Sequence, residues 1–378
     1  MISLRRTRAV ARKEFLHILR DWRSLIGALA IPLVLLLLFG YALTLDVDRI
    51  PTYVYDQDRT PESRDLIERF LGSRYFEIRG RVDSHAAIER AIDRSEVLLG
   101  VVIAPDFGRR LAAGQEADVQ LLVDGSDSNT ASLALNYAEG LVLAYSREIR
   151  SDTMKRRGGG ELKLPVEPRA RVWYNNELKS RNFIVPGLIS VILMIIAAML
   201  TSLTIAREWE SGTMEQLLST PVRPVELLFG KLSAHFALGM LDMMIALAVG
   251  VGIFNVPLRG SVLALFATSS IFLFGGLSWG IFLSAVARSQ LLAYQMAVIT
   301  TFLPAFLLSG FVFAIENMPW VVQVVTYAVP ARYFVTILKG LFLKGVGLHV
   351  FWLEALFLIV YAVVLFLIAV KKLRQKVA

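Results

Sequence analysis

Cysteine is absent from the 378 residues, which excludes disulfide staples, zinc–thiolate sites and thiol nucleophiles. Histidine is scarce, and His17, His85, His235 and His349 are scattered. Neither His-Glu-x-x-His nor a nucleophile-elbow sequence occurs. The phosphate-cradling Gly-x-x-x-x-Gly-Lys-Ser/Thr loop is missing as well: Gly230-Lys231-Leu232 lacks both the preceding loop and the hydroxyl. This chain is therefore not expected to bind ATP in that manner, nor to be an enzyme. Charge is thin, at 19% of residues against about 25% in soluble domains.

What is present is apolar. Hydrophobic residues make up 55% of the chain, and the mean hydropathy of +0.57 excludes a disordered protein. The charge is unevenly distributed. Residues 46–179 hold 20 Lys and Arg against 23 Asp and Glu, while the remainder is strongly basic and carries the net charge of +8. Two bodies are implied, one in water and one in lipid. The basic excess sits beside apolar runs, so it is not a sign of nucleic-acid binding.

A bilayer core of about 30 Å needs roughly 20 apolar residues as a helix. Six runs qualify: Ser24–Leu45, Phe183–Ala206, Leu232–Phe254, Ser261–Ala287, Ser289–Ile315 and Val346–Val370. Lys and Arg near the span ends set orientation. Arg5, Arg6, Arg8, Arg12, Lys13, Arg20 and Arg23 precede the first run, and Lys371, Lys372, Arg374 and Lys376 follow the last. Both termini are expected in the cytosol, with residues 46–180 extracytoplasmic. The first run is too long for a signal-peptide core, and Tyr41-Ala42-Leu43-Thr44 is a poor cleavage site, so a retained anchor is expected.

Residues 46–180 read as an α/β domain. Tyr53–Tyr55, Tyr75–Ile78, Val97–Ile103 and Val119–Val123 have strand composition, and Val172–Tyr174 adds a possible last strand. Pro61–Leu71, His85–Arg94, Asp106–Ala113 and Asn129–Arg156 have helical spacing, and Gly158-Gly159-Gly160 is a linker. Asp46/Asp48, Asp56/Asp58 and Asp124/Asp127 resemble calcium-loop carboxylates, but none leads into a full loop closed by Glu. Strand-end turns are the expected role.

Residues 1–23 form a basic amphipathic helix with Leu4, Ala11, Phe15, Ile18, Leu19 and Trp22 on one stripe and arginines, including Arg12 and Arg20, elsewhere. Topology control and a docking surface are both open for it. Further on, Thr213 with Gln216 has capping-box spacing. Met214, Leu217 and Leu218 share a face, expected to be exposed, and Pro221 and Pro224 end the short helix. Such a helix suits a partner's groove.

The run Arg-Glu-Trp-Glu-Ser-Gly-Thr-Met-Glu-Gln-Leu-Leu-Ser-Thr-Pro-Val at 207–222 resembles the signature of type-2 ABC exporter permeases. A second stretch agrees: Leu308-Ser309-Gly310-Phe311-Val312-Phe313, Glu316-Asn317-Met318-Pro319, Pro330-Ala331-Arg332-Tyr333-Phe334 and Lys339-Gly340. The resemblance covers essentially the whole chain. It implies six transmembrane helices, with the α/β domain inserted after the first. The segment 207–221 becomes a coupling helix docking an ATPase subunit through Glu208, Trp209, Gly212, Thr213, Met214, Gln216, Leu217, Leu218 and Pro221. Arg12, Phe15, Arg20 and Trp22 fall in the family's interface helix. Ser309, Gly310, Glu316, Met318, Pro319, Pro330 and Arg332 fall in an outer re-entrant motif, about 316–345. ATP and Mg would belong to the ATPase partner, a second permease would complete the path, and the membrane would be a bacterial inner membrane. The large outer domain is similar to the multidrug-export branch that works beside a periplasmic adaptor.

Asp242, with His235 seven residues before it, is the main ionisable group within a span. It lines a substrate path or serves a proton step, or else it bonds to Ser or Thr of a neighbouring span or contacts the dimer partner. Ser190, Thr201, Thr268, Ser278 and Thr300 are expected pore-lining hydroxyls. An ion-coupled transporter and a membrane sensor are the alternative functions. A repeat of broken spans, expected of the first, is not seen.

Overall fold

The polar block and the apolar remainder fold as separate units in the computed structural model, which describes residues 3–43, 48–156, 173–175, 179–287 and 289–377. Leu45–Arg171 make one unit, and Met1–Thr44 with Val172–Ala378 make the other. The boundary at 171 falls before the expected 180. Asn175 and Lys179 are tied to the next helix, because Asn182 Nδ2 donates to Asn175 Oδ1 at 2.7 Å and Asn175 Nδ2 donates to the Lys179 carbonyl at 2.9 Å.

The helical unit begins with α1 (Leu4–Arg20) and α2 (Trp22–Ala42). The α/β unit then runs β1 (Ile50–Asp56), α3 (Pro61–Gly72), β2 (Phe76–Arg81), α4 (His85–Asp93), β3 (Leu99–Ile103), α5 (Phe107–Ala112), β4 (Val119–Val123) and α6 (Ser128–Arg156). The sheet order is β2-β1-β3-β4, with β1 parallel to both neighbours and β4 antiparallel to β3. Every residue of β3 is buried, as a central strand covered on both faces requires. Ile50, Val54, Leu66, Phe70, Phe76 and Tyr145 share its core.

Of the paired aspartates, Asp56, Asp58, Asp124 and Asp127 serve turns and caps, and Asp46 lies outside the described residues. Asp56 Oδ1 accepts from the backbone of Asp58 and Arg59, and Asp58 Oδ2 accepts from Gly108 N at 2.9 Å. Asp124 and Asp127 accept from residues leading into α6. Among the described residues no His, Asp and Glu cluster is arranged to hold a metal ion. Trp173 and Tyr174 are not in a strand. Val172 and the glycines at 158–160 lie outside the described residues.

The helical unit continues with α7 (Arg181–Glu210), α8 (Thr213–Leu218), α9 (Pro224–Gly252), α10 (Val262–Ala287) and α11 (Gln290–Leu308). A 3-10 turn, Ile315–Asn317, leads to α12 (Trp320–Thr326), α13 (Pro330–Lys339), a π-helical turn Gly340–Lys344 and α14 (Trp352–Val377). Six of these helices are long and apolar enough to cross a membrane: α2, α7, α9, α10, α11 and α14. The fifth stops at Leu308, short of the expected Ile315, because Gly310 takes φ +76° and turns the chain. The pair α12 and Pro330–Lys344 is bent by 83°, where Pro330 lacks the N–H that a continuing helix needs.

The central helix is α7, packed against α2, α9, α10, α11 and α13. Its closest neighbour is α10, where Gly276, Gly280 and Ser284 recur every fourth residue and bring the two backbones together. Ser284 Oγ accepts from the α7 backbone at Ala206, 2.8 Å, and Thr201 Oγ1 donates to the Leu277 carbonyl at 2.9 Å. The expected pore hydroxyls mostly serve this packing instead. Ser190, Thr201, Thr268 and Ser278 are buried within the bundle, and the last three bond to carbonyls of their own helices. Only Thr300 is exposed, where it bonds Trp279 Nε1.

Candidate functional site

At one end of the bundle the amphipathic α1 is clamped across α7 and α9, and Arg6 reaches the loop after α8. The side that packs on α9 lies away from the apolar stripe. Val10 and Glu14 are the buried residues of α1, and Gly230 of α9 permits the approach, since a Cβ there would stand 2.6 Å from Val10. Leu4, Phe15, Leu19 and Trp22 face outward, and Arg12 and Arg20 are exposed with them. A 17-residue helix has two sides to use, and the side carrying Val10 and Glu14 has a specific buried partner.

That partner is Lys231. Its ammonium donates to Glu14 Oε1 at 2.7 Å and to Glu208 Oε1 at 2.8 Å, all three side chains being almost fully buried. Lys13, largely exposed, reaches the same Glu208 oxygen at 3.1 Å. Burial works against the Glu14 charge, but Lys231 outweighs it and holds the carboxyl below the usual carboxylate range. Three elements distant in sequence thus meet at one ion cluster. The signal for it was a lone acid, Glu14, among apolar positions of α1, and a lysine inside an apolar run.

A second clamp holds the start of α1. Glu226 Oε1 accepts from Ser3 N at 2.6 Å and from Arg6 at 2.9 Å, and its other oxygen accepts from Arg223 N at 3.0 Å. Arg6 also donates to the Pro221 carbonyl at 2.5 Å. Nearby, Arg207 Nη1 lies 3.1 Å from His17 Nε2, and Glu210 accepts from Gln290 N at 2.8 Å.

Within 207–221 the expected residues divide. Gly212 takes φ +71°, a left-handed turn between α7 and α8 that a residue with a Cβ adopts at a cost. Gly212, not Thr213, precedes the helix, so the capping box does not form. Thr213 Oγ1 instead donates back to the Glu208 carbonyl at 3.4 Å and pairs with Ser211. Met214 is fully buried and Leu217 half-buried. Trp209 packs against the core, and Glu208 is the buried ion above. Leu218 closes α8. The exposed surface is polar, formed by Gly212, Thr213, Glu215, Gln216, Ser219, Thr220 and Pro221. Met214 and Leu217 anchor α8 to the bundle, because a six-residue helix has no stability of its own.

From the ion cluster a groove of about 740 Å³ runs along the bundle. The α7 face from Leu188 to Thr204 is its floor, and α2 (Leu25, Ile31, Leu35) and α11 (Tyr294, Val298, Phe302) are its walls. Phe39 and Phe306, ring centroids 6.4 Å apart, stand at its far end. Lys13, Glu14, His17, Arg207, Glu208, Lys231 and His235 line its near end. The groove is apolar for most of its length and charged at one terminus.

His235 and Asp242 are both buried. His235 Nδ1 sits 2.9 Å from the Lys231 carbonyl. Asp242 does not make the expected bond to Ser or Thr, and among the described residues neither of its oxygens has a hydrogen-bond partner. The groove lining includes Leu238 and His235 but not Asp242.

At the other end, Lys339 pins the re-entrant motif. Its ammonium donates to the Gly310 carbonyl at 2.8 Å and lies 3.4 Å from the Phe183 ring centroid. Arg332 covers the Tyr327 ring at 4.0 Å and donates to Thr326. Met318 accepts from Gln323 at 2.9 Å, Ser309 and Pro330 are buried, and Glu316 and Pro319 are exposed.

Six membrane-length helices, a short turned helix held between two of them and a long groove define a membrane transport subunit. The profile of the ABC-2 family transporter protein matches residues 22–371, and the chain belongs to that family. It is a permease subunit of an ABC exporter, and ATP hydrolysis is the work of a separate ATP-binding subunit. The family implies that ATP-binding partner and dimerisation in general. Proteins of Escherichia coli K12 are among those similar to this chain. The "Probable multidrug ABC transporter permease YbhS" is 39% identical over 96% of this chain and 95% of its own length. The "Probable multidrug ABC transporter permease YbhR" is 33% identical over 90% of each. The "Inner membrane transport permease YhhJ" is 25% identical over 95% of this chain and 96% of that protein.

Proposed function

We propose that this permease exports amphipathic, drug-like or lipid-like molecules, taking them up along the groove between α2, α7 and α11. The observation that carries this reading is the groove itself, about 740 Å³ of apolar wall ending in a charged cluster. Its chemistry matches a molecule with an apolar body and a polar end. The names of the two Escherichia coli multidrug permeases point the same way.

In this reading α1 and α8 face the cytosol and dock the ATPase, which carries the nucleotide and Mg. The Glu226 clamp supports this, since it holds the start of α1 against α9, with Arg6 reaching the loop after α8. The basic residues before α2 and after α14 favour cytosolic termini and an extracytoplasmic α/β unit. A second permease completes the path in an inner membrane, and the α/β unit receives a periplasmic adaptor.

The test is reconstitution of the permease with its ATPase in vesicles. ATP-dependent movement of an amphiphilic dye is expected, and an ATP-independent flux would refute the exporter reading. Orientation is read by adding single cysteines to the cysteine-free chain. A membrane-impermeant maleimide applied from outside should label position 93 and spare position 216.

A further inference from the structure

We propose that the Glu14–Lys231–Glu208 cluster is the coupling pin between the groove and α8, so that Lys231 positions both for transport. The proposal rests on the exporter reading above and adds to it the element that carries motion between the ATPase side and the substrate side.

The first ground is position. Glu14, Lys231 and Glu208 come from α1, α9 and α7, and all three line the charged end of the groove. Glu208 is five residues before Thr213, the first residue of α8, and its carbonyl accepts from the Thr213 hydroxyl. A displacement of the Glu208 turn therefore reaches α8 through one short stretch of backbone and one hydrogen bond.

The second ground is energetic. A buried ion group adds little net stability, because desolvation offsets most of its attraction, and apolar residues of similar volume do as well or better. What such a group provides is one defined geometry that is either made or broken. Three apolar side chains would slide past one another, whereas Lys231 is held between two carboxylate oxygens at 2.7 and 2.8 Å.

The third ground is a built-in second arrangement. Glu208 Oε1 is shared between buried Lys231 and exposed Lys13, and Glu208 Oε2 has no hydrogen-bond partner among the described residues. Glu208 can leave Lys231 without becoming an unpaired charge, since Lys13 accompanies it toward solvent. Coupling requires an element with two discrete states that both sites bias. Here the states are Glu208 on Lys231 and Glu208 on Lys13 alone. They differ in whether α7 is tied to α9.

The chain has no cysteine, so a spin-label pair can be placed at Ile31→Cys and Val298→Cys, on opposite walls of the groove. The purified permease–ATPase complex in lipid nanodiscs is compared with and without ATP and vanadate. In the otherwise unchanged chain the label-to-label distance distribution is expected to shift with nucleotide. In E14Q/K231M, which leaves Glu208 paired with Lys13, the ATPase still co-purifies and hydrolyses ATP but the shift is lost. In K231R, which keeps a cation between Glu14 and Glu208, the shift is retained.

A shift that persists in E14Q/K231M overturns the proposal, and so does its absence in the unchanged chain. Loss of the ATPase from E14Q/K231M also overturns it, since the cluster would then serve docking alone. Should that variant fail to accumulate, E208Q decides, since it keeps the buried Glu14–Lys231 pair but unties α7: a lost shift supports the pin and a retained one refutes it. Failure of any ATPase to co-purify with the unchanged chain counts instead against the exporter reading.

Discussion

Gly280 of α10 sits so close to Thr201 of α7 that a Cβ at 280 would overlap both the Thr201 hydroxyl and the Ala198 carbonyl. The Ala198 carbonyl is backbone and cannot give way, and the Thr201 hydroxyl is held by its bonds to the Ala197 and Leu277 carbonyls. Gly280→Ala is therefore expected to lower stability by about 1–3 kcal/mol, and Gly280→Leu to prevent accumulation. Thermal unfolding in detergent, followed by size-exclusion chromatography, checks both. An unshifted melting temperature for Gly280→Ala would remove the seam as a packing determinant.

The Glu226 clamp makes a kinetic prediction about α1. Glu226→Ala removes the acceptor of Ser3 N, Arg6 and Arg223 N together. Charged hydrogen bonds contribute about 1.5–3 kcal/mol each, so local opening of α1 should rise at least about tenfold. With Val10→Cys as a buried reporter, maleimide labelling should speed up by that factor. Equal labelling rates would show that α1 is held by its other contacts.

Two kinds of substitution in α8 should separate. Met214→Glu puts a charge where a side chain is fully buried and is expected to cost the permease its own stability. Glu215→Lys with Gln216→Glu alters exposed side chains only. That pair should leave thermal stability within about 0.5 kcal/mol while reducing co-purification of the ATPase. Full ATPase yield from the pair would argue against α8 as the docking surface.

Asp242 is buried without a hydrogen-bond partner among the described residues and is not in the groove lining. Asp242→Asn should leave ATP-driven dye export and its pH profile unchanged. It should also raise stability by about 1–3 kcal/mol, as an uncharged amide is less costly to bury. A changed pH profile would reinstate a proton-linked role for this carboxylate.

The α/β unit has a titration of its own. Burial, with Asp65 next to it, pushes the Tyr145 hydroxyl up to about 12, against an ordinary value near 10. The raised value means that the folded state favours the neutral phenol. This contribution is complete below pH 10 and is lost as pH rises toward 12. Limited proteolysis of the full chain should accelerate over that window. In Tyr145→Phe, which also loses the bond to the Glu62 carbonyl, the baseline should be faster but the window flat.

Most of the architecture was legible locally. Spans announce themselves because about 20 consecutive apolar residues have no other stable location, and all six expected runs are helices here. The strand and helix order of 50–156 followed from strand composition and helical spacing, and the structure adds caps at Thr60 and Ser84, whose side chains accept from Ser63 N and Ala87 N. The site was harder to read. Met214 looked exposed because its stripe fits any partner, and the sequence does not say whether that partner is another chain or the bundle itself. Asp242 looked tied to a hydroxyl because a buried acid usually is, yet Thr268 and Ser278 bond to their own backbones.

Composition and periodicity alone therefore determined that this chain is a six-span membrane protein with a polar α/β insertion, and the motif at 207–222 its family. Those are properties of short segments in their solvent, and they need no knowledge of distant contacts. Tertiary structure alone decided that Glu14, Glu208 and Lys231, separated by up to 217 positions, share one buried cluster. It decided equally that the groove of α2, α7 and α11 ends there. Such features depend on which helix faces meet. A buried charge reveals its role only when the partner that repays its desolvation is in place.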